Sequence, residues 1–178
     1  KYVVTGRPVG RAVREATRAE GRQRLGIDPS GTCVLVAGGS QGAASINDAA
    51  IDAFCPNPPF QVVHVAGDRN LDAVQERVAA AGCGPRYHVY GFLDDFPSAI
   101  AAADLVISRS GGSVFELAAV GRPAILVPYP HATADHQMGN ARWLAEAGAA
   151  IIITDEGCTG ERLRELVGAL LAEPERLT

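Results

Sequence analysis

The sequence predicts an α/β fold: a doubly wound, Rossmann-like sheet of six parallel strands with helices on both faces. Two observations carry this. Apolar, β-branched runs alternate six times with amphipathic helical stretches across short connectors, the pattern of βαβ units. Runs such as Ala124-Ile125-Leu126-Val127 and Ala150-Ile151-Ile152-Ile153 show no polar alternation, as strands covered on both faces require. The chain's 178 residues are enough for one well-buried domain.

Each element has its own signal. Residues 2–5 read as a short strand or linker closed by Gly6-Arg7-Pro8, and 11–25 as a charged, Ala-rich surface helix. Residues 33–37 form a buried strand that runs into the loop Gly38-Gly39-Ser40-Gln41-Gly42. The helix over 43–54 then puts Ile46, Ala49, Ala50 and Ala53 on one face. A second strand is expected over 60–66, a helix over 71–81 with Leu71, Val74 and Val78 inward, and a third strand over 87–90. Residues 96–103 follow as a short helix opened by Asp95, with Pro97 in the first turn where proline is tolerated. Residues 104–129 then read as strand, glycine loop, short helix, tight turn and strand. Ser113 and Glu116 have capping-box spacing at the start of that helix, and Gly121 with Pro123 ends it. A helix over 135–147 with Asp135 as N-cap, a strand over 150–153 and a helix over 160–172 complete the chain.

Composition excludes several classes. The apolar share is 47 %, yet no apolar run approaches the ~18 residues that span a bilayer. The formal charge of −4, with basic residues scattered outside the first 25 positions, argues against a nucleic-acid partner. Cys33, Cys55, Cys83 and Cys158 are far apart without a C-x-x-C pair, so four free thiols of a cytosolic protein are expected rather than disulfides or a zinc site. Opening in mid-pattern at Lys1-Tyr2-Val3-Val4, the chain reads as a fragment.

The first glycine loop lies between a strand and a helix, where backbone N–H groups and the helix dipole suit a phosphate. It is neither G-x-G-x-x-G nor a Walker loop, and a plain tight turn has the same spacing. Glu116 has two readings, a capping residue or a carboxylate that accepts ribose hydroxyls. Gln137 and Asn140 fall on adjacent faces of one helical turn. His131 and His136 lack a third ligand and no Asp-x-Asp is present, so no metal site is expected. Asp94-Asp95 reads as a turn and N-cap, and His64 and His88, inside strands, as structural. There is no serine nucleophile elbow and no positioned base. The residues describe a phosphate-and-sugar binding half without its own catalytic base.

Taken together, GGSQGA from Gly38, GFLDD from Gly91, SRSGG from Ser108, ELAAVGRPAILVPYP from Glu116 and DHQMGNA from Asp135 resemble the C-terminal domain of the MurG family. These are peptidoglycan N-acetylglucosaminyltransferases of the two-domain GT-B type, glycosyltransferase family 28. The likeness covers nearly the whole chain; GGSQGA with DHQ-x-x-NA is its specific part, and the Glu-Leu-Ala-Ala segment is shared by many GT-B enzymes.

The resemblance implies residues 1–32 as the linker and start of the domain, and 33–178 as a donor-binding domain taking UDP-GlcNAc as substrate with no cofactor. Gly39, Ser40, Gln41 and Gly42 would meet the diphosphate and Leu93 the uracil edge, with Ser110 and Gly111 beside them. Glu116 would hold the ribose, and His136, Gln137 and Asn140 the sugar. It implies a lipid-linked muramyl-pentapeptide acceptor bound by an N-terminal domain absent here, and a peripheral protein on the cytoplasmic face of the membrane. A fragment inactive alone is expected. Two departures stand out: the loop between Arg109 and Glu116 is one residue short, and the family's Asn-Pro-Val-Arg reads Arg7-Pro8-Val9-Gly10. Alternatives are the UDP-sugar half of another GT-B enzyme, or a non-catalytic nucleotide-sugar-binding subunit.

Overall fold

The computed structural model describes residues 7–39 and 41–177; the expected strand or linker at 2–5 and the expected diphosphate contact Ser40 lie outside them. In chain order come α1 (Arg11–Glu15), α2 (Arg18–Leu25), β1 (Cys33–Ala37), α3 (Ala44–Phe54), β2 (Gln61–Val65), α4 (Leu71–Ala80) and β3 (Tyr87–Tyr90). Then follow α5 (Phe96–Ala102), β4 (Leu105–Ser108), α6 (Ser113–Val120), β5 (Ala124–Leu126), α7 (His136–Glu146), β6 (Ala150–Ile152) and α8 (Gly160–Ala172). The six strands pair in parallel in the order β3-β2-β1-β4-β5-β6.

The strands alternate sides even where every residue is apolar, because successive side chains point to opposite faces. Val34, Val36, Leu105, Ile107 and Ile125 join one core with α3, α4 and α8. Leu35, Ala37, Val106, Ala124 and Leu126 join the other with α5, α6 and α7. The result is the three-layer sandwich expected, with strand positions matching the sequence reading within a residue at each end.

The expected single surface helix over 11–25 is instead two helices. Ala16 is extended, and Thr17 caps α2 by accepting the Glu20 N–H. α2 packs on α5 so closely that a side chain at Gly21 would strike the Ser98 carbonyl. Arg22, 1 % exposed, donates from Nε to Ala102 O (3.1 Å), from Nη1 to Asp28 O (2.9 Å) and from Nη2 to Asp104 Oδ2 (2.9 Å). The same carboxylate oxygen accepts the Cys33 N–H at 2.8 Å, joining the starts of β1 and β4.

The expectation of four free thiols is also corrected. Cys55 and Cys83 form a disulfide, with Cα atoms 4.8 Å apart. They follow α3 and α4, whose trailing segments run side by side, the Gly84 N–H donating to Pro56 O at 2.8 Å. Cys33 and Cys158 are free and buried.

Candidate functional site

The chain winds outward from β1 to β3, returns to β4, and winds outward again to β6, so β1 and β4 are neighbours at the reversal. The loops leaving their carboxyl ends diverge and open a crevice, the usual ligand position in such sheets. A cavity of about 950 Å³ occupies it, a size suited to a small-molecule ligand.

One wall is the loop after β1. Its backbone folds back on itself, the Gly42 N–H donating to Gly39 O at 2.9 Å. Gly42 has φ +74°, and a side chain there would run into the Ala66 carbonyl, so glycine is required. Asn70 braces the loop from behind, its Nδ2 donating to Gln41 O (3.2 Å) and Ala66 O (3.1 Å). Among the described residues no side chain caps α3, whose first residues Ala44 and Ser45 line the cavity with Gly39, Gln41 and Gly42. Backbone N–H groups of an uncapped first turn favour an anion.

Behind this wall, Asn47 Nδ2 donates to Ala66 O at 3.0 Å, which turns its Oδ1 toward His64 Nε2 (3.0 Å). Nε2 therefore carries the ring proton and Nδ1 accepts from Tyr87 Oη at 2.9 Å. Burial pushes His64 down to about 4, keeping this strut between α3 and β2 neutral. Both strand histidines are structural, as the sequence reading had them: His88 Nε2 pairs with Gln61 Oε1 at 3.0 Å.

The opposite wall is the loop after β4 and the start of α6. Here the capping box is corrected. Gly112 already has helical dihedrals (φ −62°, ψ −24°), so Ser113 sits inside the helix and no side chain caps it. Glu116, half-buried in the first turn, lines the cavity with Gly111, Gly112 and Ser113. The rim after β3 adds Phe92, Leu93, Asp94 and Phe96. There Asp95 caps α5 as expected, accepting the Ser98 N–H at 3.3 Å.

The floor carries residues the sequence reading passed over. Arg109, whose side chain is 11 % exposed, pairs with Asp155 at 2.5 Å and donates to Ser45 Oγ at 3.1 Å. Burial alone would raise the Asp155 carboxyl, but the Ser45 hydroxyl and the Arg109 guanidinium outweigh it and hold it below its ordinary value. Arg109 stood inside the SRSGG motif; Asp155, Ser45 and Asn70 had no motif to mark them.

Of the expected site residues, Gly39, Gln41, Gly42, Leu93, Gly111, Glu116 and Gln137 come together around the cavity. Ser110 is fully buried behind the second loop, its Oγ donating to the Gln137 carbonyl at 2.8 Å. Asn140 stands beside it, its Nδ2 donating to Ser110 O at 3.0 Å. His136 is exposed and its Nδ1 donates to Thr133 O at 2.8 Å, away from the cavity lining. Asp135 takes a left-handed conformation (φ 51°) and makes no cap bond, contrary to expectation. Among the described residues no cluster of three or more His, Cys, Asp or Glu is arranged to hold a metal.

Comparison with known proteins agrees with this architecture. Curated relatives include the "UDP-N-acetylglucosamine--N-acetylmuramyl-(pentapeptide) pyrophosphoryl-undecaprenol N-acetylglucosamine transferase" of Halothermothrix orenii, 40 % identical over 99 % of this chain. The Burkholderia thailandensis protein of the same name is 44 % identical over 90 %. The chain spans about half the length of these relatives, 50 % and 45 % respectively. The crystal structure of Acinetobacter baumannii MurG superposes with a TM-score of 0.74 at 29 % identity, covering 98 % of this chain and 50 % of that one. A model of the glycosyltransferase family 28 C-terminal domain matches residues 33–178, taking in both glycine loops and all six strands, and the chain therefore belongs to that family.

Proposed function

We propose that this chain is the donor-binding half of an inverting glycosyltransferase that moves GlcNAc from UDP-GlcNAc to undecaprenyl-diphospho-muramoylpentapeptide, a step of peptidoglycan synthesis. The observation that carries the reading is the cavity at the β1/β4 reversal, flanked by two helix starts that no side chain caps among the described residues and by the Glu116 carboxylate. In this reading the diphosphate meets the loop of Gly39, Ser40, Gln41 and Gly42 ahead of α3, where backbone N–H groups of the loop and the helix start neutralise the charge that grows on the leaving UDP. Glu116 accepts the ribose hydroxyls. The backbone near Leu93 meets the uracil edge, and Gln137 offers its amide to the sugar. Ser110, Gly111 and Asn140 shape the loop between them.

No cofactor is assigned in this reading. Acceptor contacts and a general base are assigned outside the residues lining the cavity, so the chain alone should hold the donor without turning it over. A lipid-linked acceptor would bring the enzyme to a membrane surface; among the described residues no helix is long and apolar enough to cross one.

Calorimetric titration with UDP-GlcNAc, UDP-glucose, UDP, TDP and ADP tests the reading. UDP-GlcNAc should bind tightest, UDP should exceed TDP, which lacks the 2′-hydroxyl, and ADP should be weakest. Equal binding of ADP and UDP overturns the assignment. Steady release of UDP with a lipid-linked acceptor analogue overturns the assignment of the base elsewhere.

A further inference from the structure

The floor of the cavity joins its two ends through one side chain. Arg109 leaves β4 and donates from Nη1 to Val127 O (3.2 Å) and Pro128 O (3.4 Å), at the end of β5. Nη1 also pairs with Asp155 Oδ1 (2.5 Å) after β6, while Nη2 donates to Ser45 Oγ (3.1 Å) in the first turn of α3. Ser45 Oγ in turn donates to Asp155 Oδ1 at 2.6 Å, closing a triangle. The guanidinium carbon lies 5.4 Å from the centre of the Tyr129 ring. One residue further on, the Tyr129 N–H donates to Gln137 Oε1 at 3.0 Å. That bond turns Oε1 toward the strand end and fixes the amide plane, leaving both Nε2 protons for a ligand. Ser45, Arg109, Tyr129, Gln137 and Asp155 all line the cavity.

We propose that Arg109 and Asp155 are positioning residues for sugar selection: they tie the first turn of α3 to the Pro128-Tyr129 segment and so set the Gln137 amide. The proposal deepens the UDP-GlcNAc reading and rests on it. Arg109 suits positioning better than ligand contact because Nη1 and Nη2 are already engaged by acceptors from three separate elements. A planar fork can hold several acceptors at fixed angles, which a lysine ammonium cannot. Asp155 is the counter-charge of a guanidinium that is largely out of water, and removing one member of such a pair leaves the other uncompensated. Loss of either should therefore move the strap that holds Gln137, while the glycine loop stays braced by Asn70.

The readout is the ratio of dissociation constants for UDP and UDP-GlcNAc, measured calorimetrically in the parent, R109K, D155N, S45A, S45A/D155N and Q137A. Q137A sets the full loss of the sugar's contribution. R109K and D155N should lose most of the same ratio, about fivefold or more, the loss of one well-made hydrogen bond, with UDP affinity moving less than about twofold. S45A should lose part of it, and the double variant should lose less than the two single losses combined, since Ser45 and Asp155 share one triangle with Arg109. Parallel loss for both ligands, or a parent-like ratio with early melting, overturns the positioning role. A parent that does not prefer UDP-GlcNAc over UDP overturns the donor reading, and the proposal with it. Should D155N fail to fold, S45A, which leaves the ion pair in place, carries the test.

Discussion

The Asn140 amide donates to the main-chain oxygen of Ser110 at 3.0 Å, and the Ser110 hydroxyl donates back to the Gln137 carbonyl at 2.8 Å. The two bonds pin the second glycine loop to α7. Asn140, expected at the sugar, holds the wall that carries Gly111 and Glu116. Asn140→Ala should leave the buried Ser110 oxygen without its partner and lower stability by about 1–2 kcal/mol. It should also weaken UDP and UDP-GlcNAc by similar factors, because the loop shifts under both. Selective loss of UDP-GlcNAc in calorimetry would show that Asn140 meets the sugar directly.

His64 gives the fold a distinct acid sensitivity. Its folded value near 4 lies below the ordinary 6.5, owing to burial. As pH falls through about 6.5 the unfolded chain takes up a proton that the folded chain refuses until about 4. The stability from the neutral ring is complete above 6.5 and lost across that window, on the order of 3 kcal/mol in all. His88, also lowered by burial, adds in the same direction. The lowered carboxylates Asp28, Asp95 and Asp155 act further down, below their ordinary 3.8. Urea unfolding between pH 7.5 and 4.5 should show the decline, and His64→Gln should flatten much of it. An unchanged pH slope in that variant would refute the assignment.

What the sequence showed clearly was whatever periodicity and apolar runs determine. The strands β1 and β3 fell where their residues placed them, and so did α8, since burial on both faces and a 3.6-residue stripe leave few alternatives. Caps were less legible. Thr17-x-x-Glu20 and Ser113-x-x-Glu116 have the same spacing, yet only the first caps its helix: Thr17 Oγ1 accepts the Glu20 N–H and donates to Glu20 Oε2 at 2.8 Å. The second fails because Gly112 is already helical, a backbone choice that spacing does not reveal. The glycine loops and Glu116 were marked by motif. Arg109, Asp155 and Ser45 meet only after residues 64 and 110 positions apart are brought together, and no local pattern announces that. The Cys55–Cys83 bond was missed for the same reason.

Arg22 and Asp104 are a second long-range contact, 82 positions apart. Arg22 is 1 % exposed, so its charge has little water to fall back on. Asp104→Ala strands that guanidinium and frees the Cys33 N–H, and should cost about 3–5 kcal/mol. Arg18→Ala, which removes a 39 % exposed partner of the same carboxylate, should cost under about 1 kcal/mol. Denaturant midpoints decide it; comparable losses for the two variants would mean that burial of Arg22 is not what makes the pair costly to break.

Glu116 is the residue on which the nucleotide reading turns. It lines the cavity in the first turn of α6 and, among the described residues, makes no capping bond, so its part at the helix start is confined to the favourable dipole. A carboxylate accepting a ribose hydroxyl contributes roughly 1.5–3 kcal/mol, the range for hydrogen bonds to charged groups. Glu116→Gln keeps the size of the side chain and removes the charge. With no cap to lose, the variant should melt within about a degree or two of the parent, as surface substitutions away from special contacts do. UDP binding should fall about tenfold or more, the equivalent of roughly 1.4 kcal/mol. The parent should also bind UDP more tightly than 2′-deoxy-UDP, because a site built around a hydroxyl is left with an unpaired group when it is missing. The variant should lose most of that preference. If it discriminates the two nucleotides as well as the parent does, the ribose lies elsewhere along the cavity and the second glycine loop is not its seat.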